Sequence, residues 1–279
     1  MFTTVVYREK NSIFTLQKKW VKFILSDKYK TLMNKGIYQV ITNEQLTETV
    51  FRLSVAGDTQ AIQRPGQFAN IAIDGFYLRR PISVCDYDSN SITFVYKVVG
   101  EGTQALTRYT KGSSLDIIVG LGNGFDTEVN CRKPLVVGGG VGIPPLYRLT
   151  KELVVKGKKP TAILCFNTAS EIFLHNEFAK LGIEVAVATI DGSYGTKGFY
   201  SDAIVRHNIE YDYYYTCGPQ PMLRSIHATL DVEGQISFEE RMGCGFGGCM
   251  GCSHKTRSGY KRVCTDTILK SEEVIFDEH

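Results

Sequence analysis

Long apolar runs are missing from this 279-residue chain. Nowhere do about 18 apolar residues follow one another, which argues against a helical membrane span. A secretory leader is missing too. The nearest apolar stretch at the start, residues 20–25, is interrupted by Lys22, so a reducing cytoplasm is the expected compartment. There is no internal repeat, no low-complexity tract and no strong charge of either sign: 32 Lys and Arg face 29 Asp and Glu, a net charge of +3. Even that excess is local. Residues 1–36 carry +6 and the rest −3, and a weakly acidic body argues against a nucleic-acid partner. Eight cysteines are too few to staple a chain of this length. In a reducing compartment they read as metal ligands or redox groups before disulfides.

Four textures follow one another along the chain. Residues 1–35 form a basic extension in which Ile13, Leu16, Trp20, Phe23 and Ile24 keep helical spacing. A membrane-surface helix, a partner-docking arm and a segment left untranslated because Met33 is the start all fit it; the last would change the net charge to −2. Residues 36–125 read as an antiparallel barrel, with strands expected at 37–41, 49–55, 67–73, 82–86, 92–99 and 115–121 and one short helix at 102–111. Residues 126–230 alternate strand and helix: strands at 134–137, 161–166, 183–190 and 211–216, helices at 145–156, 170–181 and from about 219. That rhythm predicts a Rossmann-like parallel sheet with crossover helices. Residues 231–279 have little periodicity and hold four cysteines within 21 residues. A segment so poor in core residues needs another organising force, and a metal site supplies one.

Those cysteines read Cys244-Gly-Phe-Gly-Gly-Cys249-Met-Gly-Cys252, with Cys264 after eleven more residues. Four thiolates can hold a [2Fe–2S] cluster, and the C-x4-C-x2-C core has plant-type ferredoxin spacing, although the fourth cysteine is nearer. The interleaved glycines permit tight turns and let backbone N–H groups face sulfur. Structural zinc also takes four cysteines, but usually as two short knuckles, and unligated thiols are the remaining alternative. His254 beside Cys252 is either a further ligand or a solvent-facing ring.

Gly138-Gly139-Gly140-Val-Gly142-Ile-Pro144-Pro145 follows an apolar strand and opens a helix. Such a turn lets backbone approach a pyrophosphate, although the spacing is not G-x-G-x-x-G and glycines also make ordinary turns. Cys217-Gly218-Pro219 follows the last strand of the same region. Ligands of open α/β sheets bind at strand carboxyl ends, so Cys217 is a nicotinamide neighbour or a buried core thiol. Arg79-Arg80-Pro81-Ile82-Ser83 offers guanidinium forks to a phosphate or lies in a solvated loop, and Gly102-Thr103 opens a helix with anion-binding geometry. Cys85, Cys131 and Cys165 read as structural, and no catalytic acid, base or nucleophile is expected.

Arg80-Pro81-Ile82-Ser83, Gly102-Thr103, the Gly138 to Pro145 turn and Cys217-Gly218-Pro219, in that order, resemble the ferredoxin–NADP reductase superfamily. Glu240-Arg241-Met242-Gly243-Cys244 and the four cysteines narrow the resemblance to the electron-transfer subunits of NAD-dependent (class B) dihydroorotate dehydrogenases, over residues 36–279. The resemblance implies FAD on the barrel, with Arg80, Pro81, Ile82 and Ser83 at its phosphate and isoalloxazine side. It places Val95, Tyr96 and Lys97 along the flavin and Gly102 and Thr103 at its pyrophosphate. NAD would lie at Gly138, Gly139, Gly140, Gly142, Cys217, Gly218 and Pro219, and the [2Fe–2S] cluster on Cys244, Cys249, Cys252 and Cys264. It further implies an FMN-containing dihydroorotate dehydrogenase catalytic subunit as partner, in a heterotetramer of two of each, serving pyrimidine biosynthesis.

A nicotinamide exchanges electron pairs as hydride and a cluster exchanges single electrons, so a flavin must stand between them. The implied order is partner FMN, cluster, FAD, NAD. Two rivals remain at this point: a flavin subunit of an NADH-dependent ferredoxin:NADP oxidoreductase or hydrogenase complex, and a zinc-stabilised, non-enzymatic binding module.

Overall fold

The computed structural model describes residues 34–276. The basic amphipathic stretch expected around residues 13–24, and Met33, lie outside them.

Six strands close a barrel: β1 (Asn34–Gln45), β2 (Val50–Ala56), β3 (Phe68–Ile71), β4 (Arg80–Tyr87), β5 (Ser91–Lys97) and β6 (Ser114–Leu121). They are ordered β1-β2-β5-β4-β3-β6 and every pairing is antiparallel. Alternating residues such as Val40, Leu53, Val55, Ile71 and Phe94 fill the interior, the period-2 pattern of a half-buried sheet. Because β1 starts at Asn34, the last two residues of the expected extension pair with β6. The helix expected at 102–111 is only α1 (Glu101–Leu106). Beyond it Arg108 and Tyr109 bond three residues back, and Gly112, with φ +87°, donates to the Val40 carbonyl and returns the chain to the barrel.

The second unit is a seven-stranded sheet. It contains β7 (Pro134–Gly139), β8 (Thr161–Phe166), β9 (Glu184–Thr189), β10 (Thr196–Lys197), β11 (Tyr213–Cys217), β12 (Gly234–Ser237) and β15 (Ile268–Lys270). A separate hairpin of β13 (Ser253–Thr256) and β14 (Gly259–Arg262) lies between the last two in sequence. The sheet order is β10-β9-β8-β7-β11-β12-β15, parallel except for the last strand. Central strands β7 and β11 are buried at every residue, as a sheet covered on both faces requires. The helices are α2 (Pro144–Val155), α3 (His175–Ala179), α4 (Tyr200–His207) and α5 (Gln220–Thr229).

One expectation in this unit needs correction. The helix expected at 170–181 is a 3-10 turn, Ala169–Glu171, followed by the five-residue α3. Leu174 between them adopts φ +61°, a left-handed conformation that no helix continues through, and both Phe173 and Leu174 are buried. Tertiary packing therefore overrides the helical periodicity. Strand β10 and helix α4 went unread. So did β12 and β15, which return the two ends of the cysteine-bearing segment to the nucleotide-type sheet.

Barrel and sheet are tied together by charge. Asp86 of β4 accepts from Lys151 (2.7 Å) and Arg148 (3.3 Å) of α2, and Arg52 of β2 bonds to Glu177 of α3.

Candidate functional site

The glycine turn and Cys217-Gly218-Pro219 are far apart in sequence but adjoin in space. Strands β7 and β11 pair in parallel with Gly138 opposite Cys217. The chain leaves β7 toward β8 on one side and reaches β11 on the other, so this is the topological switch point of the sheet, where a crevice opens beyond the strand ends. Gly142 packs so tightly there that a Cβ would lie 2.3 Å from the Cys217 carbonyl oxygen. Gly140 takes φ +52° with open space around it.

Above the turn is a cavity of about 770 Å³ between the sheet and the barrel, within the roughly 300–1,000 Å³ of small-molecule sites. Gly139, Gly140, Gly142, Gly218 and Pro219 form its floor, and Lys97 with Val50 the barrel wall. Cys165, Glu171 and Glu239 also line it. Glu171, on the 3-10 turn after β8, accepts from the Asn167 backbone (3.2 Å) and side chain (2.9 Å). The surroundings of Glu239 push its carboxyl above the usual range by desolvation. Cys217 itself does not line the cavity. It is 1% exposed, and desolvation, with Glu239 adding to it, raises its thiol pKa, as for a buried core thiol. Burial likewise pushes Cys165 up to about 12.

The flavin-side residues separate into those brought together and those turned away. Arg80 lies over the Phe76 ring, 4.7 Å from its centroid. It reaches α1 so closely that a Cβ at Gly102 would meet its Nε at 2.2 Å. Arg80 and Gly102 therefore form one corner, with a guanidinium at a helix start, and fit a pyrophosphate. Thr103 uses its hydroxyl locally, accepting from the backbone of Val99 (2.9 Å) and Gly100 (3.2 Å), so it shapes the turn. Arg79 is committed elsewhere, donating to the Asp116 carboxylate at 2.7 Å. On β5, Val95 and Lys97 face the sheet side. The Tyr96 ring packs into the barrel, stacked on Phe51 with its hydroxyl on Asn43. In β4, Ser83 pairs with Phe68, Ile82 with Ala69 and Pro81 with Asn70.

The four cysteines gather in one loop against β3 and β15. Cys252 and Cys264 are buried, Cys244 is half-buried and Cys249 exposed. Gly247 N–H points at Cys264 Sγ (3.1 Å), Gly248 N–H at Cys244 Sγ (3.2 Å) and Cys264 N–H at Cys252 Sγ (3.4 Å). Burial alone would raise the Cys244 thiol. Backbone N–H groups from Phe246, Cys249 and Gly248 and the Cys249 side chain outweigh it and bring the pKa down to about 7. Cys264 moves the other way, to about 12, through burial and the neighbouring Cys252. Among the described residues no three Cys, His, Asp or Glu side chains converge on a point suited to one metal ion. Thiols spread around a loop with N–H groups aimed at sulfur fit a binuclear cluster, whose four ligands divide between two irons. His254 packs on Phe238 with ring centroids 4.4 Å apart.

Residues 239–266 match the iron–sulfur cluster binding domain of dihydroorotate dehydrogenase B. Over 257 residues the chain is 38% identical to the electron transfer subunit of dihydroorotate dehydrogenase B (NAD(+)) of Geobacillus sp. (strain WCH70), covering 88% of this chain and all of the relative. The chain belongs to this family. The corresponding subunit of Fusobacterium nucleatum is 42% identical over 238 residues, 80% of this chain and 92% of the relative. Among solved structures, a chain of an NADH-dependent reduced ferredoxin-NADP oxidoreductase studied for flavin-based electron bifurcation superposes with TM-score 0.78 at 28% identity. The match covers 86% of this chain and 90% of that one. Membership of the dihydroorotate dehydrogenase B family accounts for the conjunction of a reductase barrel, a nucleotide sheet and a four-cysteine loop in one chain.

Two features of the site had no sequence signature of their own. Glu171 sits on a 3-10 turn where the first turn of a helix over 170–181 is expected. Asn70, buried in β3, donates to the Cys244 carbonyl at 3.2 Å, and nothing in the pattern of its strand marks it.

Proposed function

We propose that this chain is the electron-transfer subunit of an NAD-linked dihydroorotate dehydrogenase, an oxidoreductase subunit that carries FAD, a [2Fe–2S] cluster and an NAD site. Its partner is an FMN-containing catalytic subunit, two copies of each forming the assembly, in the reducing cytoplasm. No two of the eight cysteines form a disulfide, and no described helix is long and apolar enough to cross a membrane. The division of labour follows the chain: residues 36–125 for FAD, 126–230 for NAD and 231–279 for the cluster.

The observation that carries this reading is the four-cysteine loop with backbone N–H groups on its sulfurs, packed beside a reductase barrel. When bound, the flavin supplies the exchange between paired and single electrons. The chain's own residues bind and orient. Arg80 and the α1 start at Gly102 hold a pyrophosphate against the barrel. Gly139, Gly140, Gly142 and Gly218 let the dinucleotide approach the backbone at the switch point. Glu171, on the 3-10 turn after β8, accepts from ribose hydroxyls, the role an acidic residue plays in many dinucleotide sites. Lys97 stands on the barrel wall of the same cavity.

The identity to the dihydroorotate dehydrogenase subunits, about 40%, exceeds the 28% to the ferredoxin-NADP oxidoreductase chain and favours the former partner. Co-expression with a dihydroorotate-oxidising FMN subunit, purified without oxygen, tests this. The expected complex absorbs as flavin plus iron–sulfur and reduces NAD+ with dihydroorotate. A colourless protein containing zinc sinks the reading. A coloured protein that stays inactive with that partner leaves the cofactors standing and removes the partner.

A further inference from the structure

The register of β3 on β4 pairs Phe68 with Ser83 and Asn70 with Pro81. Directly paired residues project to the same face, so Asn70 and Ser83 share one face of the barrel wall. That face looks toward the cysteine loop, because Phe68 belongs to the same packed cluster as Cys252 and Cys264. Asn70 is 2% exposed. Its Nδ2 donates to the carbonyl of Cys244 at 3.2 Å. The next residue, Gly245, has φ +75° and comes so close that a Cβ would lie 2.0 Å from Asn70 Nδ2. The loop is thus seated directly on this amide.

The other half of the amide is unrewarded. Asn70 Oδ1 is buried and has no hydrogen-bond partner among the described residues. A buried acceptor without a donor costs stability, and a leucine of similar size carries no such cost. What the amide delivers in exchange is its one contact with a cysteine of the cluster loop.

We propose that Asn70 is a positioning residue that sets the cluster loop against the flavin-bearing face of the barrel and so fixes the spacing for electron exchange between the two groups. This rests on the function proposed above. Asn70 touches neither reacting group; it acts through the Cys244 backbone.

The test uses the co-expressed complex carrying Asn70→Leu, with Asn70→Ser as a second variant that neither overpacks nor adds charge. Iron and FAD content, melting temperature, and stopped-flow reduction of flavin and cluster by NADH are measured for each. Expected are iron and FAD at wild-type levels, an unchanged or higher melting temperature for Asn70→Leu, and flavin reduction within twofold of wild type. Cluster reduction should slow about tenfold, as expected if the two groups move apart by an ångström or more. Cluster reduction at the wild-type rate overturns the proposal. So does loss of iron in both variants, or a fall of every rate together with the melting temperature, since each marks an ordinary structural role. If the wild-type complex itself carries no flavin or iron, the functional reading fails, whatever the variants do.

Discussion

At the scale of single residues, glycines at the switch point differ in what they permit. Gly142→Ala must displace the Cys217 backbone, which cannot swing aside as a side chain would. We expect it to cost about 1–3 kcal/mol in urea unfolding and to abolish NADH oxidation. Gly140→Ala meets nothing within 4 Å, so its cost is the left-handed backbone alone, about 1–2 kcal/mol. In the function proposed above, Glu171 selects the coenzyme. A carboxylate beside the ribose repels a 2′-phosphate, so Glu171→Arg should raise the kcat/KM ratio of NADPH to NADH by about tenfold, or about 1.4 kcal/mol. An unchanged ratio in an artificial-acceptor assay would place the ribose elsewhere. Residue types announced the glycines and the cysteines. They did not announce Glu171, because a carboxylate on a turn looks like any solvated charge until the cavity is known.

At the scale of elements, the cysteine segment has two parts of different origin. Strands β12 and β15 pair with each other in the sheet and belong to its core. The loop from Gly243 to Thr265 between them has one two-stranded hairpin and leans on its cysteines. Removal of iron should therefore raise amide hydrogen exchange in residues 243–265 while residues 234–237 and 268–270 keep their protection. Loss of protection in all three would mean that the metal organises the whole segment. The barrel strands were legible because alternation reports directly on which face is buried. The helices at 102–111 and 170–181 were over-read for a related reason: periodicity shows which residues want the core, and a turn through Leu174 satisfies the same residues without a helix.

At the scale of the molecule, charge holds the barrel wall shut on one side. Arg79, with Lys35 adding to it, binds Asp116 and keeps its carboxyl below the usual range. A depressed folded-state value means that the ion pair stabilises the protein above the unfolded pKa near 4, and that this is lost as pH falls through the lower folded value. Asp116→Asn should accordingly be less stable than wild type at pH 7, by about 1 kcal/mol or less for so accessible a pair. The gap should close on acidification below about pH 4, as read from urea midpoints. A gap that persists once Asp116 is itself protonated in the folded protein would assign the effect to packing.

The sequence by itself determined the four-cysteine spacing, the barrel strands and the glycine turn, because residue spacing, alternation and backbone freedom are local properties of the chain. Tertiary structure decided everything that depends on which distant segments meet. It set Gly138 beside Cys217, gave Arg80 to Gly102 while binding Arg79 to Asp116, turned Tyr96 into the barrel, and brought Asn70 under Cys244. These are long-range pairings fixed by burial across the whole fold, and no short stretch of sequence contains both partners.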